Sequence, residues 1–151
     1  MKSKYTEPLC LRVAGTLLLM IGLGHILMPT LGYEPATPEG MSESVRNHFY
    51  YLGTYAISGF LLSLGLLSHL FSWAPSTWAS RVFSVVMTSL WVARLGLEFV
   101  YPVDLPIFIL ATPHPWLVLV LVCITAAFAM AALTSHAPLS RPLNSPPSAT
   151  P

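Results

Sequence analysis

Apolar residues in this chain are gathered into four long runs that almost exclude charge, where a water-soluble bundle would show narrow stripes. A hydrocarbon layer of about 30 Å is crossed by about 20 helical residues, and each run has that length. The first extends from Leu9 to Met28 (LCLRVAGTLLLMIGLGHILM) between Pro8 and Pro29, residues that helices accept only at their margins. Its single charge, Arg12, lies within a turn of one end and can snorkel to the headgroups. The second runs from Asn47 to Phe71, with Phe49, Tyr50 and Tyr51 at one end and His69, Phe71 and Trp73 at the other, placed like the aromatic belts of membrane helices. The third starts at Ser76, an N-cap candidate after Pro75, and continues to Tyr101, where Pro102 stops it. The fourth, Pro115 to Thr134, contains no charge at all.

These runs predict an all-α fold: a polytopic membrane protein built as an antiparallel four-transmembrane-helix bundle, its contacts made by small residues. Residues 1–134 form the membrane domain. Residues 135–151 hold five prolines and little to bury, and they predict a disordered Pro/Ser-rich cytoplasmic tail. Lys2 and Lys4 before the first run raise the alternative of a cleaved signal peptide. The run exceeds the usual apolar core of such signals and no small-x-small cleavage site follows Met28, which favours a retained anchor.

Composition agrees. Apolar residues make up 54% of the 151 and charged residues 9%, too few charges to clothe a surface in water. A net charge of +1 supplies no basic stripe, so nucleic acid is excluded as a partner. The expected partners are the lipid bilayer and either a larger membrane complex or further copies of the chain. Cys10 and Cys123 lack metal-binding spacing and are expected to be small buried hydrophobes.

Lys and Arg in short flanks set orientation. Lys2, Lys4, Arg12, Arg81 and Arg141 fall on one side, while Glu34, Glu39, Glu43 and Asp104 fall on the other with only Arg46. The expected topology is multi-pass with both termini cytoplasmic.

Chemistry is confined to a few positions. Arg94 and Glu98 lie in the outer half of the third run, where a lone Arg at helix centre costs about 2.5–3.5 kcal/mol on insertion scales. Spaced i, i+4 they can pair, although Arg before Glu is the weaker order. Met87 and Trp91 continue their face. On the second run His48, Tyr51 and Tyr55 share a face that Gly59 and Ser63 extend, which predicts a polar stripe meeting Arg94 and Glu98. Arg94, Glu98, Trp91, Tyr51 and Tyr55 thus form a candidate ligand pocket. His25, His48 and His114, with Asp104, are a candidate metal set near the outer mouth, imidazole and carboxylate together suiting Zn²⁺ or Cu²⁺. The proline-rich segment Tyr101 to Pro115 is expected to be an extended loop in the interface, with a lid over the outer mouth as the alternative. His69 and His136 belong to the inner side.

Gly22-Leu23-Gly24-His25 with Pro29 resembles the Gly-x-x-His-x-x-x-Pro pattern near the end of the first span in small bacterial four-helix proteins of the DoxX-like type. The resemblance implies a four-span bundle and a location in a bacterial inner (plasma) membrane. Some members of that group are linked to membrane oxidoreductase systems. The Trp91, Arg94 and Glu98 cluster is not part of its pattern.

Three functional readings follow. The first is a non-catalytic accessory or structural subunit. The second is a binder of a small apolar ligand, a quinone or lipid, in an outer-side pocket, with a redox association. The third is an outer-side metal site. No nucleophile, phosphate loop or haem motif points to an enzyme or names a cofactor, and four spans are few for the repeats of a secondary transporter.

Overall fold

A computed structural model describes residues 5–29, 40–102 and 112–136. They form four helices: α1 (Thr6–Leu27), α2 (Glu43–Trp73), α3 (Trp78–Val100) and α4 (His114–Thr134). All four are long and apolar enough to cross a membrane. The segment 103–111, which contains Asp104 and most of the expected loop or lid at Tyr101–Pro115, lies outside the described residues, as does the tail beyond His136. The last two residues of that expected loop, His114 and Pro115, begin α4 instead.

The ends of the helices follow their capping chemistry more closely than the apolar runs do. α1 begins three residues before Leu9, so Pro8 sits in its first turn, where its missing N–H is not needed. α2 begins at Glu43 rather than Asn47, because Ser42 caps it by accepting from the Val45 N–H at 3.4 Å. At 31 residues it is about 46 Å long and outreaches the hydrocarbon layer. α3 is capped by Thr77, which accepts from the Ser80 N–H at 3.1 Å. The expected cap, Ser76, instead takes a left-handed backbone with φ of 59° in the tight α2–α3 turn. α4 starts at His114, which makes Pro115 its second residue.

Buried positions recur at alternating steps of three and four residues. On α1 they are Glu7, Leu11, Ala14, Gly15, Leu18 and Gly22; on α2, Thr54, Ser58, Leu61, Gly65, Ser68 and Ser72. On α4 they are Leu121, Ile124, Phe128 and Ala131. This 3.5-residue period is the seam of helices packed at shallow crossing angles. Its content is inverted relative to a soluble protein, with serines and glycines inside and Phe60, Leu66, Leu70 and Leu133 outside. Lipid removes the advantage of burying large apolar groups, so small residues that let backbones approach occupy the contacts. Their hydroxyls find acceptors within their own helix: Ser58, Ser68 and Ser84 each donate to the carbonyl four residues back at 2.7–2.9 Å.

The closest approach joins α1 to α2. A Cβ added at Gly15 would stand 2.9 Å from the Gly65 carbonyl oxygen, and one at Gly65 would stand 3.0 Å from the Gly15 carbonyl oxygen. Gly59 and Ser63, the expected small contacts of α2, are exposed, and nothing lies within 4 Å of a Cβ at Gly59. Cys123 is exposed on α4 rather than buried, and Cys10 is half-buried.

α1 packs against α2 and α4, and α3 packs against α4, whereas α2 and α3 hardly approach each other. They meet near their shared turn, where Phe71 lies 4.9 Å from Phe83, which in turn meets Phe128 of α4 edge-on at 5.8 Å between ring centres. The bundle is therefore a ring left open on one side.

Candidate functional site

The open side holds a cavity of about 480 Å³. Ile57, Phe60, Leu61 and Leu64 of α2 form one wall and Leu90, Trp91 and Arg94 of α3 the other. Ile21 and His25 of α1, with Leu117 and Leu121 of α4, close the back. Ile57, Phe60 and Leu90 are also exposed on the outside of the bundle, so the mouth between α2 and α3 faces the bilayer. The lining is apolar except at the end farther from the α2–α3 turn, where His25 and Arg94 stand.

Arg94 is held in place by a relay. Its Nη2 donates to Glu98 Oε2 at 2.8 Å, and Glu98 Oε1 accepts from His114 Nδ1 at 3.0 Å. A carboxylate oxygen only accepts, so Nδ1 is the protonated nitrogen of His114. Glu98 is fully buried, while the Arg94 side chain is 40% exposed. A buried carboxylate is tolerated only when cations and donors surround it, and the fold meets this from two elements. Arg94 comes one turn earlier on α3, and His114, the first residue of α4, comes from across the α3–α4 connection. The i, i+4 pair expected from the sequence is formed, and His114 joins it. The ring of His114 also meets Phe99 edge-on, with centres 6.5 Å apart.

His25 donates from Nδ1 to its own helix, at the Ile21 carbonyl oxygen, at 2.9 Å. His48 is exposed and lies edge-on to Phe49. Among the described residues, no three His, Cys, Asp or Glu side chains come together as a metal ion would require. His25, His48 and His114 are thus dispersed, and Asp104 is outside the described residues. The cavity receives Trp91 and Arg94 from the candidate ligand pocket, with Glu98 behind Arg94. Tyr51 and Tyr55 are not part of its lining: they are 47% and 51% exposed and stack on each other 6.4 Å apart on the outer surface of α2. The buried seam of α2 takes a different stripe, through Thr54, Ser58 and Leu61, which turns the tyrosine face away from α3.

A second buried carboxylate lies at the opposite end of the bundle. Glu7, 3% exposed, accepts from the Ser76 N–H with both oxygens at 3.0 Å, from Ser76 Oγ at 2.9 Å and from Ser80 Oγ at 2.7 Å. It ties the start of α1 to the α2–α3 turn. Arg12 Nε adds a bond to Ser72 Oγ at 3.3 Å. Among the described residues, Glu7's donors belong to the α2–α3 turn and the first turn of α3, which it braces, so this cluster is structural. The sequence did carry a signal for it, an acidic residue at the very margin of an apolar run, but the seryl partners are about seventy positions away.

No family model, curated protein or solved structure matches this chain. The functional reading therefore rests on the geometry of the cleft.

Proposed function

We propose that this protein binds a small lipid-soluble molecule in the cleft between α2 and α3, admitted sideways from the bilayer, as a binding protein rather than a catalyst. One observation carries the reading: an apolar cavity open to lipid ends in a guanidinium that a buried carboxylate and a histidine hold in position. Its volume, about 480 Å³, falls within the 300–1,000 Å³ or so of small-molecule sites. The Arg94 side chain lines the cavity and is 40% exposed, so it is within reach of a molecule held there.

The Gly22–Pro29 pattern, which resembles that of DoxX-like proteins, borders the same site, since Gly22 packs on Leu61 and Leu62 and His25 lines the cavity. The Lys and Arg distribution supports termini in the cytoplasm, on which reading the polar end of the cleft lies toward the outer face, and the DoxX-like resemblance supports a bacterial inner membrane.

The test is mass spectrometry of organic extracts from protein purified in mild detergent. A lipid-soluble compound in stoichiometric amount is expected from the natural chain. It should fall at least about ten-fold in Leu64→Trp, which fills the cavity, and in Arg94→Ala, which removes its polar end. Equal amounts in all three proteins would refute the proposal. So would a natural chain that carries nothing and instead co-purifies with a partner helix cross-linked at Leu90, the result the accessory-subunit reading predicts.

A further inference from the structure

The hydrogen-bonding state of the two polar groups in the cleft narrows what it can hold. The Ile21 carbonyl can only accept, so the His25 nitrogen 2.9 Å away, Nδ1, carries a proton. In the neutral ring Nε2 is then a lone-pair acceptor, and no donor reaches it among the described residues. Arg94 has the opposite character. One of its amino groups is given to Glu98, and its remaining N–H groups have no acceptor among the described residues. His25 and Arg94 both line the cavity, so its polar end can offer a ligand one acceptor, on α1, and several donors, on α3.

Charge narrows the choice further. The Arg94 guanidinium and the Glu98 carboxylate, in contact at 2.8 Å, sum to zero. Among the described residues Arg94 is the one arginine or lysine lining the cleft, and its charge is already paired with Glu98, which His114 also faces at 3.0 Å. An anionic head therefore finds no unpaired guanidinium there, and a cationic head would face the guanidinium. Beyond the polar end, the wall from Ile57 to Leu64 spans two turns of α2, about 10 Å, and offers only carbon to a chain or ring lying along it.

From these observations, and resting on the proposal that the cleft binds a lipid-soluble molecule, we infer that its ligand class is an uncharged amphiphile with a hydroxyl in its head. The hydroxyl donates to His25 Nε2, a second head-group oxygen accepts from Arg94, and the apolar part runs between α2 and α3 toward their shared turn. A lipid lacking the hydroxyl covers the half-buried imidazole acceptor and leaves it unmatched, which costs affinity.

Three probes of one chain length separate the possibilities in the full-length protein in nanodiscs. They are 1-decanoylglycerol, which is neutral with both hydroxyl and carbonyl; methyl decanoate, which is neutral without a hydroxyl; and decanoate, an anion. Chain-brominated forms report binding by quenching tryptophan fluorescence, with Trp91→Phe identifying the signal from the cleft and affinities referred to each probe's concentration in the bilayer. The glycerol ester is expected to bind about ten-fold tighter than the methyl ester, with decanoate weaker than both. His25→Phe should erase the advantage of the glycerol ester and leave methyl ester binding unchanged. Equal affinity of the two esters for the natural chain, or tightest binding by decanoate, overturns the hydroxyl inference while leaving the cleft a lipid site. Failure of all three probes to quench Trp91 removes both. The probe comparison on the natural chain decides by itself, so a His25→Phe chain that does not fold leaves the test intact.

Discussion

Two glutamates buried at opposite ends of the same bundle show how context assigns a carboxylate its work. Glu98 shares its charge with Arg94 and His114, and one of those partners borders the cavity. Removing Arg94 alone leaves a buried carboxylate short of its cation, a change that costs about 3–5 kcal/mol in buried pairs. Arg94→Leu is therefore expected to lower stability sharply, while Arg94→Leu with Glu98→Leu, which removes both charges, should recover most of the loss. Unfolding midpoints in detergent of the two single variants and the double variant check this; a double variant as unstable as the sum of the singles would show that the two residues are not coupled. Glu7 accepts from three donors, two on Ser76 in the α2–α3 turn and one on Ser80 in the first turn of α3. In Glu7→Gln one oxygen becomes an amide that points N–H groups at those donors, which should cost about 2 kcal/mol or more. Faster proteolysis at the 74–77 turn, with the cavity unaffected, is the expected readout.

At the level of helices, the spans were legible because insertion is decided by length, apolar content and charge, all of which can be counted along the chain. The faces were less so. Helical spacing correctly joined His48, Tyr51, Tyr55, Gly59 and Ser63 into a stripe, but a stripe has no direction until a neighbour is specified. α2 in fact buries the stripe from Thr54 to Ser72, which carries small residues along nearly its whole length. Continuity of small side chains, more than the presence of polar ones, was the signal to follow, because lipid-embedded helices are drawn together where backbones can approach. For the site, the Arg94–Glu98 pair was readable from its i, i+4 spacing. His114 could be placed only on the same side of the membrane, and Tyr51 and Tyr55 could not be separated from the pocket. The apolar walls were invisible, since Leu61, Leu64, Leu90 and Leu121 look like any other leucines of a span. The seam makes a paired prediction. Gly15→Ala sets a Cβ against a backbone oxygen that cannot move aside, and about 1–3 kcal/mol of stability should be lost. Gly96→Ala meets open space and should be neutral, or stabilising by about 0.5–1 kcal/mol through helix propensity. Denaturation midpoints that moved alike in both variants would contradict the assigned α1–α2 contact.

For the whole molecule, the decisive feature is that three of the four possible sides of the ring are packed and the fourth is not. The two helices flanking the gap are clamped at their shared turn, by Phe71 on Phe83 and by Glu7 on Ser76 and Ser80, and are held apart toward the other end by what α1 and α4 place between them. Which leaflet the gap serves depends on orientation. With the termini in the cytoplasm, the clamped end faces inward, and Arg94 and His25 lie toward the outer leaflet, the side on which Glu43 and Arg46 begin α2. Single cysteines test this in a chain whose Cys10 and Cys123 have been replaced by alanine. Ser44→Cys, exposed at the start of α2, should react with a membrane-impermeant maleimide in spheroplasts. Ala79→Cys, exposed beside the α2–α3 turn, should react only after the membrane is opened. The reverse pattern would invert the protein and direct the cleft to the inner leaflet. The geometry of Arg94, Glu98 and His114 would be unchanged, yet the ligand would have to be drawn from the cytoplasmic lipid pool, so this measurement decides where a search for the ligand should begin.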